Sequence, residues 1–317
     1  MNMLNEIFKK SLNNIEITAD EFNVLVNADL DELISCAERI KLKYMGSAPQ
    51  TCAIINARSG LCSENCAFCA QSSHFSTGAP VYKYIELERI EAAAKDLAAR
   101  GVERFSIVTS GLVPDDEEFQ KIKESLKIIK KYRLKPDASV GCLSYEKLME
   151  LKEVGLDAYH HNLEVARSFF PEICTTHDYE TDVETVRESV RAGLYVCSGG
   201  IFGLGETWAH RYELAMTLRE LGVHSVPMNF LNPIKGTPKE GTSVLGEDEA
   251  LRILAVYRFL LPDRSIRVCG GRSIVFSERS AEKVLRAGAS GIMVGDYLTV
   301  KGISMDEDMD FIRKSSE

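Results

Sequence analysis

Three cysteines fall within eight residues, Cys62, Cys66 and Cys69 in SGLCSENCAFCAQSSHF, spaced Cys-x3-Cys-x2-Cys. Three thiolates on so short a loop can wrap one corner of a cubane iron–sulfur cluster, holding three of its four irons and leaving the fourth open to an external ligand. Zinc, with His74 as a fourth ligand, is the competing chemistry. Structural zinc sites usually pair two close cysteines with a distant second pair, and this chain has no such pair. Unrelated buried thiols are a third reading, at odds with the polar run Ser63, Glu64 and Asn65 between them. Phe68, inside the triplet, sets an aromatic ring beside the open iron, where an adenine could rest.

Composition removes several function classes. Asp and Glu outnumber Lys and Arg by 47 to 38, so no basic footprint for nucleic acid or an anionic membrane is visible. The basic run Lys127–Arg133 sits in a helical pattern and reads as a solvated face. No apolar stretch reaches the ~18 residues needed to span a bilayer. The opening MNMLNEIFKKSLNN lacks the apolar core and cleavage site of a secretory signal, so a cytoplasmic chain is expected. Nine cysteines, an odd number, argue against a disulfide framework in such a chain.

The elements that must hold the triplet recur along the chain as a helix-like segment, a glycine, then a short apolar run. AARGVERFSIV, LKEVGLDAYHHN, VRAGLYVCSGG, RELGVHSVPMN and LRAGASGIMVG share the pattern, with Gly101, Gly155, Gly193, Gly222 and Gly288 at helix C′ positions. Nearly all-apolar runs are expected of parallel strands covered on both faces. Thr51–Ala57, Lys135–Gly141 and Ser265–Gly270 add further strands, the last after a helix at Glu247–Leu261. The series favours an α/β fold of the (β/α)8 TIM-barrel type over an open sheet. The expected division is a helical N-terminal extension over 1–45, the barrel over 46–305 and a C-terminal tail over 306–317. In such a barrel chemistry gathers at the C-terminal ends of strands. The cysteine loop, HHNLE and SGGIFGLGE all fall there, after strands one, four and five.

The triplet with its aromatic resembles the radical-SAM signature, and NARSGLCSENCAFCAQSSHF is similar to the biotin synthase family in its Gly-x-Cys entry and CAQSS exit. YHHNLE, TTHDYETDVET, AGLYVCSGGIFGLGET, SVPMNFLNPIKGTP, IRVCGGR and GDYLTVKG follow in the family's order, so the resemblance covers residues 15–305. It implies a 4Fe–4S cluster on Cys62, Cys66 and Cys69 that binds S-adenosylmethionine (SAM). It also implies a flavodoxin or ferredoxin as electron donor, sulfur insertion into dethiobiotin to give biotin, and a homodimer. By position in the motifs, Asn162 and Glu164 would meet the SAM ribose, Glu164 standing where the family usually has aspartate. Asn162 and Asn229 would meet dethiobiotin, Phe68 would lie against SAM, and Gly199 and Gly200 would lie against its methionine part. A related radical-SAM maturase or mutase, and a non-catalytic zinc or cluster scaffold, are the rival readings.

The chain departs from the family where a second, 2Fe–2S cluster is usually held by three cysteines and an arginine. Ser106 and Asp137 stand where two of those cysteines are expected; only Cys197 and Arg267 match. Strand alternation puts Cys269 on the face of Arg267, and Cys52 on the face of Ile54 and Asn56. Cys52, Cys197, Cys269 and Arg267 are therefore expected to converge inside the barrel on a different auxiliary cluster, a four-iron one with an extra sulfide. Cys36 reads as core, and Cys142 and Cys174 as ordinary thiols, either becoming a ligand only if its loop folds inward. Asp182 replaces an arginine that in the family is thought to meet the SAM carboxylate; either nearby Arg187 or Arg191 substitutes, or the carboxylate relies on iron and backbone.

Overall fold

The computed structural model describes residues 3–277, 280–296, 298 and 302–316, so the GDYLTVKG segment lies partly outside the described residues. Its sheet is parallel throughout. The strands are β1 (Gln50–Arg58), β2 (Arg104–Thr109), β3 (Lys135–Ser139), β4 (Ala158–His160), β5 (Tyr195–Cys197), β6 (Gly200–Phe202), β7 (Ser225–Phe230), β8 (Ser265–Val268) and β9 (Gly291–Met293). β5 and β6 are halves of one barrel strand, interrupted at Ser198 and Gly199. Pairing runs β1–β2–β3–β4–β5, crosses to β7 through Cys197 and Ser225, and returns through β8 and β9 to β1. The ring is closed with eight staves, a TIM-type (β/α)8 barrel.

Helices cover the outside. They are α1 (Met3–Leu12), α2 (Ala19–Asn27), α3 (Leu30–Met45), α4 (Leu87–Ala99), α5 (Asp116–Lys131), α6 (Tyr145–Val154), α7 (Tyr179–Arg191), α8 (Trp208–Glu220), α9 (Glu247–Leu260), α10 (Arg272–Val275), α11 (Ala281–Arg286) and α12 (Met305–Ser316). α5 is representative: Asp115 caps its first turn by accepting from the Glu118 amide, and Phe119, Ile122, Leu126 and Ile129 form one buried stripe. β2 is buried along its whole length, flanked by β1 and β3 and packed against α5. The five glycines expected after helices all have positive φ; Gly155, at 116°, ends α6 in the left-handed region.

α9 is buried on nearly every side, which its amphipathic neighbours explain. α1, α2 and α3 lie over it, and Ser11 Oγ donates to the Phe259 carbonyl at 2.8 Å. Each of Leu251, Leu254 and Phe259 gains about 1.5–3 kcal/mol from that cover. At the other end, the expected tail is α12. It is held by a buried ion pair between Arg272 and Asp308, whose other oxygen accepts from the Gly295 amide at 3.2 Å. No described helix is long and apolar enough to cross a membrane.

Candidate active site

A cavity of about 420 Å³ opens at the C-terminal ends of the strands, and Cys62, Cys66 and Cys69 all line it. Their loop leaves β1 through Leu61, a non-glycine residue at φ 52°, a strained turn of the kind found at functional sites. The turn is held by bonds within the loop. Cys62 N donates to Gln71 O at 3.0 Å, Ser73 N to Cys62 O at 2.8 Å, and Cys69 N to Cys66 O at 2.9 Å. Ala67 N reaches the Ile173 carbonyl at 2.8 Å, tying the loop to the segment before α7. The three thiols are half-buried and free of disulfides. Burial pushes the Cys69 thiol up to about 11, and a hydrogen bond with Cys174, then burial, pushes Cys66 up further. Three soft donors crowded together without a cation fit an iron–sulfur cluster, whose irons would stabilise them as thiolates. His74 is exposed and its Nε2 meets the Ser63 carbonyl at 2.8 Å, so it is not a fourth ligand.

The residues expected to meet SAM and substrate separate into two groups. Phe68, Asn162, Glu164 and Asn229 line the same cavity as the triplet. Asn162 Oδ1 accepts from the Gly199 amide at 3.1 Å and its Nδ2 donates to Glu164 Oε2 at 3.4 Å. Glu164 itself has φ 62°, and burial lifts its carboxyl to about 7. The Asn229 amide is fixed at both ends, accepting from Gly270 N at 2.9 Å and donating to Gly200 O at 3.3 Å. Gly199 and Gly200 do not line the cavity. A Cβ on Gly199 would lie 2.0 Å from the Pro227 carbonyl oxygen, and one on Gly200 2.2 Å from that of Glu164. Their missing side chains let the broken strand pass its neighbours.

Sequence reasoning missed a chain of buried polar groups behind this wall. Cys174 contacts Cys66, and a hydrogen bond from Cys66 lowers its own thiol to about 5. His177 bridges Glu64 Oε2 at 2.7 Å and Asp182 Oδ2 at 3.2 Å. Asp182 also takes His161 Nε2 at 2.8 Å, with Cys142 Sγ 3.8 Å from the same nitrogen. Burial opposes charge on His161, yet its bonds to Asp182 and Cys142 raise it to about 10. Glu64 lies inside the cysteine loop, so the chain links that loop to α7. Arg187 and Arg191 do not reach it. They pair with Glu184 and Glu188 on the outer face of α7. The one available signal was TTH next to Cys174, five residues ahead of Asp182.

A second, smaller cavity of about 40 Å³ lies deeper in the barrel. Cys52, Cys197, Cys269 and Arg267 all line it, with Ser106 on β2 and Asp137 on β3. Asp137 is held bidentate by Arg104 at 2.7 and 2.8 Å, so its charge is already matched. A hydrogen bond from Cys269, with Arg267 beside it, holds the Cys52 thiol below its usual range. Arg267 Nη2 donates to Gln50 Oε1 at 2.9 Å, while its Nε and the Ser106 hydroxyl are buried without hydrogen-bond partners among the described residues. Three thiols, a guanidinium and two orphaned polar atoms around one void fit an anionic inorganic group. His160, Cys269, Ile54 and Met293 line both cavities, so the two adjoin. Burial lowers His160 to about 4, keeping it neutral, and its Nε2 lies 3.0 Å from Asn162 Oδ1.

The Radical SAM superfamily pattern matches residues 58–218, and the Biotin and Thiamin Synthesis associated domain matches residues 227–316. Methylornithine synthase (PylB) shares the fold with a TM-score of 0.80 at 18% identity, over 94% of this chain and 87% of that one. HydG, a maturase of the FeFe-hydrogenase, does so at 0.84 and 19%, over 99% and 74%. Barrel, cysteine loop and superfamily match define a radical SAM enzyme, with a 4Fe–4S cluster and SAM as its cofactors. Within that class, biotin synthase of Geobacter sulfurreducens is 50% identical over 92% of this chain and 88% of its own length. Biotin synthase of Pelotomaculum thermopropionicum is 45% identical over 98% of both. The chain belongs to the biotin synthase family.

Proposed function

We propose that this chain converts dethiobiotin to biotin, with Cys62, Cys66 and Cys69 holding the SAM-binding cluster and Cys52, Cys197, Cys269 and Arg267 holding an auxiliary iron–sulfur cluster that donates sulfur. The observation that carries this reading is the pair of adjoining cavities, one lined by the cysteine triplet and the other by the three buried cysteines. When bound, the first cluster with SAM supplies a radical able to take hydrogen from an unactivated carbon, and the auxiliary cluster, of four irons with an added sulfide, supplies the sulfur.

The chain's own residues orient and exclude. Glu164 and Asn162 accept and donate at the SAM ribose, and Phe68 offers its ring to the adenine. Asn229, its amide already oriented by Gly200 and Gly270, meets the polar end of dethiobiotin at one fixed angle. Ile54, Ile201 and Met293 give the space between the two sulfur sites an apolar wall, which keeps water from the reacting carbons. A flavodoxin or ferredoxin supplies the electron, and the protein works as a cytoplasmic homodimer.

Anaerobic incubation of reconstituted protein with SAM, a reductant and dethiobiotin tests the reading. The expected result is biotin, with 5′-deoxyadenosine formation stimulated by dethiobiotin. SAM cleavage indifferent to dethiobiotin, with no biotin formed, would refute it.

A further inference from the structure

We propose that Cys142, His161 and Asp182 form a site for one divalent transition-metal ion of the zinc class, distinct from both iron–sulfur sites. The inference stands on the geometry of these three residues and does not depend on the substrate proposed above.

The donors come from three separate elements: the loop after β3, the residue following β4, and α7. Cys142 Sγ is 3.8 Å from His161 Nε2 and 3.9 Å from Asp182 Oδ1, and those two atoms are 2.8 Å apart. The point equidistant from all three lies about 2.1 Å from each, where zinc sits about 2.0–2.2 Å from nitrogen and oxygen ligands and 2.3 Å from sulfur. Shifts of a few tenths of an ångström would complete the coordination. Sulfur, ring nitrogen and carboxylate oxygen face one another pairwise, so the three donor atoms enclose a single point.

The supporting shell is already built. Asp182 Oδ2 accepts from His177 Nε2 at 3.2 Å, and His177 Nδ1 meets Glu64 Oε2 at 2.7 Å. Thr176 Oγ1 donates to the same Glu64 oxygen at 2.6 Å. Outer partners of this kind orient ligating carboxylates in metal sites. Backbone contacts fix the other two donors: Cys142 N donates to Leu112 O at 2.6 Å and His161 N to Cys197 O at 3.0 Å. The neighbouring group Glu64, Cys174 and His177 is as compact, but His177 already spends both nitrogens on carboxylates. His161 and Asp182 line the large cavity, so the fourth position of the ion faces it and takes an oxygen donor from there. A thiolate and a carboxylate balance a dication, leaving the buried site neutral.

The test uses the full chain, anaerobically reconstituted with iron and sulfide, incubated with equimolar zinc and passed through a desalting column. The expected result is about one zinc retained per chain with iron unchanged, and a zinc-edge X-ray absorption shell containing one sulfur and otherwise nitrogen and oxygen. Cys142→Ser and Asp182→Asn should each retain at least about tenfold less zinc at unchanged iron content, which also reports that they fold. Four results would overturn the proposal: no zinc retained, zinc gained only as iron is lost, a shell of three or more sulfurs, or retention unaltered in Cys142→Ser. None of these readouts depends on biotin formation, so failure here and failure of the proposed reaction are separable.

Discussion

The mouth of the barrel and its interior both gather three cysteines, but by different means. At the mouth they sit on one loop, stabilised by hydrogen bonds within a dozen residues, and the surrounding cavity has the volume of a small-molecule site. In the interior Cys52 comes from β1, Cys197 from β5 and Cys269 from the end of β8, and the void among them is about a tenth as large. A loop can carry its ligand set from one protein to another unchanged. A set spread over strands can be moved around the ring, because any inward-facing position reaches the same axis. In this chain the β2 and β3 positions carry Ser106 and Asp137, Asp137 is paired with Arg104, and the thiols stand on β1, on β5 and at the end of β8.

If the two regions do separate jobs, variants should separate them. The largest effect is expected for Cys62→Ala, which should reduce 5′-deoxyadenosine formation by at least about a thousandfold, a loss of the magnitude seen when a catalytic group is removed. Cys269→Ala should abolish biotin formation while leaving dethiobiotin-stimulated SAM cleavage within about threefold of the parent, measured by chromatography of both products. Asn229→Ala removes an amide held by two backbone groups and should raise the KM for dethiobiotin about tenfold, the equivalent of one to two hydrogen bonds, with iron content unchanged. The smallest effect is a pH dependence. Glu164 is raised to about 7 by burial, so the folded chain favours its neutral form below that pH and loses that preference as pH rises through it. In its proposed role as an acceptor for SAM, Glu164 needs the carboxylate form, so SAM binding runs the other way. Its Kd should fall a few-fold between about pH 6 and 8, and Glu164→Gln should flatten that change.

The same contrast explains what could be read without coordinates. The mouth triplet and the glycines ending the helices are local patterns, and both the loop and the barrel follow from them. Alternation along a strand was enough to put Cys269 on the face of Arg267, and the two line one void with Cys52 and Cys197. Periodicity is silent about loops that fold inward, so Cys142 and Cys174 read as ordinary thiols although one lies against His161 and the other against Cys66. Glycines after a strand suggested an approach to ligand at Gly199 and Gly200. The carbonyls of Pro227 and Glu164 take that space, a constraint set by strands distant in sequence. The residues beyond 305 lacked a family motif, but their acidic first turn and basic last turn suit a helix, which is what they form.

On the proposed reading, the barrel interior holds an iron–sulfur group of its own. The most direct measurement is iron and acid-labile sulfide in anaerobically reconstituted protein carrying Cys62→Ala, Cys66→Ala and Cys69→Ala together. The account predicts about four irons per chain, with sulfide in slight excess over iron, all lost when Cys52, Cys197 and Cys269 are also replaced. A triple variant that retains no iron or sulfide would contradict it.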